Sequence, residues 1–128
     1  MNQLIGVWPN VTRLLVAYLT DRTGYPVFTR RPGDGWKPNL PCFFLDRQPA
    51  PPSDGYTKIY TFDVEFMSTD LDEANAGASE IEILMFTLPS ESDTTAHVDD
   101  VEEVMGVFDP PHDDPEILRM VGTYNIAV

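Results

Sequence analysis

The order of the helical and extended segments constrains the fold of this chain more than any single motif does. Apolar residues recur at helical spacing over residues 11–19, and again over residues 71–88. Three extended segments, residues 27–30, 40–46 and 57–67, separate the two helices and form a predicted β-meander. Two more, residues 98–108 and 117–128, follow the second helix. This order predicts an α+β domain spanning residues 1–128. We expect a mostly antiparallel sheet with an N-terminal helix and one long central helix packed on one side.

Local signals set the expected limits of the first helix and of the second strand. Pro9 or Asn10 opens the helix, since proline is tolerated in a first turn and asparagine is a good N-cap. Gly24 ends it, because glycine readily adopts the left-handed conformation of a C-cap. Pro41 predicts a strand start or an edge position, since proline cannot donate to a β-ladder.

The clearest strand pattern lies at residues 57–67, where apolar and polar side chains alternate. Alternation of this kind gives a strand one buried face and one water-exposed face. The predicted exposed face carries Thr61, Asp63 and Glu65. Two carboxylates roughly 7 Å apart on one strand face also suit an acid/base pair. A solvated face is the interpretation we favour.

The central helix has a start signal, a stop signal and a small residue in its middle. Asp70 and Glu73 have the spacing of a capping box, in which each side chain satisfies a free amide at the helix start. Pro89 is predicted to stop the helix. Gly77 is unfavourable in a helix interior, so close packing against the sheet is its predicted reason. The expected buried stripe comprises Leu71, Ala74, Ala78, Ile81, Met85 and Leu88.

The charge of the chain argues against several partners. Twenty-one acidic and eight basic residues give a formal net charge of −13. Binding to nucleic acid or to an anionic membrane uses lysine and arginine, so neither partner is expected. Two interpretations stay open: a charge that maintains solubility, or a surface that repels nucleic acid or docks onto basic partners. The start of the chain shows no secretory signal, and no apolar run is long enough for a membrane span.

No catalytic or metal-binding constellation is recognisable, so we expect no enzyme activity, no cofactor and no metal. Cys42 lies in an apolar run and is predicted to be a buried core residue, and both histidines, His97 and His112, lie in acidic loops. Three acidic clusters, at residues 70–73, 99–103 and 109–114, have neither EF-hand nor zinc spacing. We interpret them as a helix start, a solvated strand edge that discourages aggregation, and a turn.

The chain resembles the tail terminator proteins, also called tail completion proteins, of long-tailed bacteriophages. The resemblance covers nearly the whole chain. It depends on the leading helix and on five segments, residues 24–29 (GYPVFT), 41–45 (PCFFL), 60–66 (YTFDVEF), 70–74 (DLDEA) and 118–128 (LRMVGTYNIAV). The terminal strand, with its Thr-Tyr pair followed by apolar residues, is the segment most similar to the family.

The resemblance implies a non-enzymatic structural protein of the virion neck. Such a subunit forms a hexameric ring with copies of itself on the head-proximal end of the tail tube. The ring stops polymerisation of the tube protein and presents a surface for the head–tail connector or head-closure protein. DNA passes through the ring as cargo, without sequence-specific binding. The protein would occur in the virion, and in the host cytoplasm during assembly.

Two groups of residues become candidates for these contacts. Thr61, Asp63 and Glu65 are candidates for the channel surface, because a negative wall repels DNA and lets it slide. The candidates for contacts to neighbouring subunits or to the tube are Arg30, Arg31, Trp36, Lys37 and Tyr56, in or beside two loops rich in proline and glycine.

Three other functions remain open at this stage. One is another neck component, such as a head-closure or head–tail connector protein, which would bind a portal-side partner instead of the tube. The second is a generic acidic protein-binding module, which would stay monomeric. The third is a small enzyme that uses the acidic clusters, for which a metal-dependent thermal shift would be the sign.

Overall fold

The described part of the chain folds into two helices over one five-stranded sheet. The computed structural model describes residues 10–29, 40–51, 58–91, 98–110 and 114–128. The helices are α1 (Val11–Thr23) and α2 (Leu71–Glu91). The strands are β1 (Val27–Phe28), β2 (Cys42–Gln48), β3 (Ile59–Ser68), β4 (Asp100–Phe108) and β5 (Leu118–Ala127). The predicted α+β class is confirmed.

The strand order in the sheet is β1-β2-β3-β5-β4. The pairs β2–β3, β3–β5 and β4–β5 are antiparallel. The pair β1–β2 is parallel, so the prediction that the first three strands form a meander is wrong for β1. The last strand, β5, lies between β3 and β4 and pairs with β3 over ten residues. The C-terminal strand is therefore central, in agreement with its apolar composition.

Helix α1 has the predicted caps at both ends. The Asn10 side chain accepts a hydrogen bond from the backbone N–H of Arg13 at 3.0 Å. Gly24 adopts a left-handed conformation with φ 76°, and its N–H donates to the Thr20 carbonyl. Both caps satisfy backbone groups that a helix end leaves without an intrahelical partner.

The start of α2 differs from the predicted capping box through the participation of Ser68. The Asp70 carbonyl accepts the first helical hydrogen bond, from Ala74 at 2.8 Å. The Asp70 N–H donates to the Ser68 hydroxyl, which in turn donates to the Glu73 carboxylate at 2.6 Å. Glu73 thus supports the helix start through the serine.

Pro89 does not stop α2, because the helix continues to Glu91. A proline lacks only its own N–H, so in the last turn it removes a single helical hydrogen bond, and a side-chain bond supports this turn. The Ser90 hydroxyl donates to the Thr87 carbonyl at 2.9 Å.

At the other end of the predicted stripe, Leu71 is exposed, so its assignment to the buried face is wrong.

Both helices cover the same face of the sheet, as predicted. The core joins Leu15 and Leu19 of α1 and Ile81 and Met85 of α2 to the aromatic residues of β2, β3 and β5. Those central aromatic residues are Phe43, Phe62, Phe66 and Tyr124, all fully buried.

The predicted role of Gly77 is confirmed. A Cβ at this position would lie 2.1 Å from the Phe66 ring, so α2 approaches the sheet at a distance that only glycine allows.

Strand β4 is irregular, which explains why its sequence fits neither the helical nor the strand period. Its register against β5 shifts between Glu103 and Met105 and again between Met105 and Phe108. A β-bulge moves the following side chains out of alternation. The predicted interruption near Gly106 lies within the second shift.

Candidate functional site

The sheet face opposite the helices carries a row of paired polar side chains. Thr61 and Asn125 are register partners, and the Thr61 hydroxyl donates to the Asn125 side-chain oxygen at 2.6 Å. Asp63 and Thr123 are the next partners on this face, and the Thr123 hydroxyl donates to the Asp63 carboxylate at 2.6 Å. The row links the two central strands of the sheet through side chains as well as backbone.

Glu65 completes the row as a buried ion pair. Its register neighbours are the apolar residues Phe44 and Val121, and its side chain has no exposed surface. Arg119, with a side chain 27% exposed, donates from both Nε and a terminal nitrogen to the same Glu65 oxygen; the Nε distance is 2.8 Å. Burial of a carboxylate requires a charged or hydrogen-bonding partner, and Arg119 supplies one.

The prediction that this face of β3 is open to water is wrong for two of its three residues. Glu65 is 0% exposed and Thr61 is 8% exposed, whereas Asp63 is half-buried. The physical reason is that β5 contributes Arg119, Thr123 and Asn125, which pair with the polar groups of β3. Strand alternation alone does not show whether a polar face is solvated or satisfied by a neighbouring strand.

The second group of candidates lies outside the described residues. Arg30, Arg31, Trp36, Lys37 and Tyr56 belong to segments 30–39 and 52–57. Their predicted contacts with neighbouring subunits or with a tube therefore stay predictions.

Other predicted features can be located in the described part. Cys42 is fully buried beside Phe44 and Met67, which confirms its assignment to the core. The described residues hold no group of three or more potential metal ligands. No helix within the described ranges is long and apolar enough to cross a membrane.

A small cleft lies between the end of α1 and the first half of α2. Its floor is Phe43 and Phe66, and Arg22 and Glu73 are among the residues that line it. Its volume of about 200 Å³ lies below the range of roughly 300–1,000 Å³ that is usual for small-molecule sites. The cleft is too small for its size to indicate a ligand site.

The outer edge of β4 is the most distinctive exposed surface. Within the described ranges, β4 pairs with β5 alone, so its other edge leaves backbone donors and acceptors free. Val104, Met105 and Phe108 on this strand are between 44% and 52% exposed. An exposed apolar edge strand is a typical site for contact with another chain. The carboxylates Glu102 and Glu103 on the same strand are exposed, as predicted for a solvated edge.

Beside this edge, Tyr124 of β5 has a buried hydroxyl that makes no hydrogen bond within the described structure. Its ring packs edge-on against Phe86 of α2, with ring centroids 6.2 Å apart. Burial raises the pKa of the Tyr124 phenol well above its usual range, and the charges of Glu103 and Glu82 raise it further. Sequence alternation locates Tyr124 in the core but cannot show that its hydroxyl lacks a partner.

Charge is divided unequally along the sequence. Residues 1–58 contain seven basic and four acidic residues, a net +3, whereas residues 59–128 contain one and seventeen, a net −16. The first part supplies α1, β1 and β2, at one side of the sheet. The second part supplies α2, β3, β5 and β4, which extend to the opposite edge.

Comparison with known proteins does not extend these observations. No protein-family profile matches the sequence, and no curated protein matches it significantly.

Proposed function

We propose that the protein is a phage tail terminator, a non-enzymatic subunit that forms a ring on the head-proximal end of the tail tube. The observation that carries the proposal is the order of elements along the chain. A capped N-terminal helix, a short strand, a strand that begins after Pro41, a long alternating strand, a central helix and two final strands occur in this sequence. The resemblance to tail terminators depends on this same order.

The exposed surfaces support a function through protein contacts. The cleft between α1 and α2 is small, whereas the β4 edge exposes the apolar side chains of Val104, Met105 and Phe108. Two further large apolar side chains, Ile83 and Phe86, are more than half exposed on α2. Apolar residues at a strand edge and on a neighbouring helix are suited to burial against other subunits or against a tube.

The charge distribution supports passage of DNA through such a ring. A channel wall with free carboxylates repels phosphate and displaces no counterions, so DNA slides without adhering. Thr61 and Glu65 do not supply this wall, since both are buried and Glu65 is neutralised by Arg119. The exposed carboxylates of α2 are better placed, for example Glu80 and Glu82.

The test is co-assembly with the tail-tube protein of the same phage genome. Tubes are grown with and without the chain and imaged by negative-stain electron microscopy. The expected result is a distinct cap at one end of each tube and a length that no longer increases with time. A matched control replaces the chain with its heat-unfolded form at the same concentration.

Tubes that keep growing without caps would contradict the proposal. Binding to a portal-side adaptor in place of the tube would then favour another neck component, such as a head-closure or head–tail connector protein. A monomer that binds neither partner would favour a generic acidic binding module.

A further inference from the structure

The two sides of the sheet are complementary in charge and unequal in exposed apolar surface. The β4 edge carries exposed Glu102 and Glu103 beside exposed Val104 and Met105. Neither β4 nor α2 contains a lysine or arginine. The opposite side carries exposed cations at Arg13 on α1 and Arg47 on β2.

From this arrangement we infer that the β4 edge of one copy binds the α1–β2 side of the next copy. The contact is head-to-tail, so each subunit uses two different surfaces. This inference rests on the proposed function, because a head-to-tail contact that closes on itself generates a ring. The apolar side chains of β4 become buried in the contact, and its carboxylates face the cations of the neighbouring copy.

Charge decides between this geometry and a symmetric dimer through β4. Two β4 edges placed together would bring Glu102 and Glu103 of both copies into proximity. Like charges across an interface are strongly unfavourable, whereas opposite charges favour encounter and fix orientation.

Among the described residues, neither of the two cations proposed for this contact has an ion-pair partner. Arg47 lies over the ring of Tyr60, with its guanidinium carbon 4.7 Å from the ring centre, and remains exposed. Arg13 is exposed on α1, and its backbone N–H, not its guanidinium, bonds the helix cap. Both can therefore meet a carboxylate of another subunit without losing a salt bridge to any residue in the described part of the chain.

The test is a charge exchange between the two surfaces. One variant carries Glu102→Lys and Glu103→Lys, and a second carries Arg13→Glu and Arg47→Glu. In each variant both surfaces have the same sign, so each alone is expected to lose self-association by at least about tenfold at low ionic strength. A one-to-one mixture restores opposite signs at every contact and is expected to recover assembly. Asp72→Lys combined with Glu116→Lys, an equal charge change at exposed positions outside β4, α1 and β2, serves as the control and should assemble like the unaltered chain.

Sedimentation velocity and native mass spectrometry at millimolar protein report the outcomes. Recovery of oligomers in the mixture supports the head-to-tail contact. A mixture that stays monomeric while the unaltered chain assembles overturns it, as does an unaltered chain that is monomeric at this concentration. A mixture of the two variants that recovers dimers but no larger oligomer would indicate a symmetric β4 contact, which closes at two copies, and would also overturn the head-to-tail contact.

The tube-capping assay separates this inference from the proposed function. If the unaltered chain caps tubes but the mixture does not regain assembly, the function stands and the contact is different. If the mixture assembles but tubes continue to grow in the presence of the unaltered chain, the contact stands and the function is wrong.

Discussion

Arg119 of β5 donates two hydrogen bonds to one carboxylate oxygen of Glu65 on β3, a side chain with no exposed surface. Removal of the arginine leaves the carboxylate buried without its cation, which is more costly than loss of an ion pair in water. We expect Arg119→Met to lower the free energy of unfolding by about 3 kcal/mol. Urea denaturation measures the change directly.

A matched substitution tests the role of burial in this pair. Arg13→Met removes an arginine from an exposed position on α1 and is expected to change the free energy of unfolding by less than about 0.5 kcal/mol. Glu65→Met combined with Arg119→Met should recover much of the loss, because no unpaired charge remains in the interior. Equal effects of the two arginine substitutions would show that the Glu65 pair contributes nothing specific.

This ion pair also shows why the face of β3 was wrongly predicted. Alternation located Thr61, Asp63 and Glu65 on one face, and the structure agrees that they share it. Whether that face is solvated depends on the strand beside it, which is separated from β3 by a helix and another strand in the sequence. Arg119 is the one basic residue after Lys58, and this isolation is the signal that could have suggested a buried acidic partner.

The Tyr124 hydroxyl is buried without a hydrogen-bond partner in the described structure, which predicts an unusual response to its removal. Tyr124→Phe keeps the ring and its packing against Phe86 but deletes the unsatisfied group. We expect the free energy of unfolding to stay equal or to rise by up to about 1 kcal/mol. The control is Tyr18→Phe, since the Tyr18 hydroxyl donates to the Leu84 carbonyl at 2.9 Å. That substitution should lower the free energy of unfolding by about 1 kcal/mol.

The raised pKa of Tyr124 also predicts a pH dependence. The folded state holds the phenol neutral, whereas the unfolded chain releases its proton near pH 10. Stability from this group is therefore complete below about pH 10 and decreases as pH rises above that value. Tyr124→Phe should remove part of the alkaline loss of stability, measured by thermal unfolding between neutral and alkaline pH. Identical alkaline curves for the two proteins would contradict the assignment.

At Gly77, substitution by alanine is expected to destabilise the protein, although alanine is a better helix former than glycine. Alanine is favoured over glycine in a helix interior by about 1 kcal/mol. At this position, however, the added Cβ would lie 2.1 Å from the Phe66 ring, so α2 or the ring must move. We expect Gly77→Ala to destabilise the protein by about 1–3 kcal/mol. Asn75→Ala, at an exposed position on the same helix, should be neutral or slightly stabilising.

A second variant shows whether the Phe66 ring is the cause. Phe66→Leu alone creates space and should destabilise, but Gly77→Ala added to it should cost less than it does in the unaltered protein. Denaturant unfolding measures the loss of unfolding free energy for each variant. If the losses from Phe66→Leu and Gly77→Ala simply add in the double variant, the position of the helix, and not contact with the Phe66 ring, causes the effect of Gly77→Ala.

Local signals predicted the fold well where short-range chemistry determines it, and less well where distant contacts do. Asn10 and Gly24 end α1 as expected, since each cap involves residues within one turn. The parallel pairing of β1 with β2 was missed, because strand direction depends on how the intervening segment crosses. The stop at Pro89 was wrong by two residues, since the last turn of a helix tolerates proline when other groups bond its carbonyls.

Substitutions on the β4 edge are expected to weaken self-association while changing the free energy of unfolding only slightly. Val104→Thr and Met105→Thr keep residues that suit a strand but remove exposed apolar surface. Because both side chains are about half exposed, we expect the free energy of unfolding to change by less than about 1 kcal/mol. Self-association at high concentration should fall by about tenfold or more, since burial of that surface would no longer favour the contact. Leu71→Gln removes an exposed apolar group from the start of α2, outside the proposed contact, and should leave association unchanged. An equal decrease with Leu71→Gln in sedimentation experiments would show that general surface apolarity, and not the β4 edge, drives association.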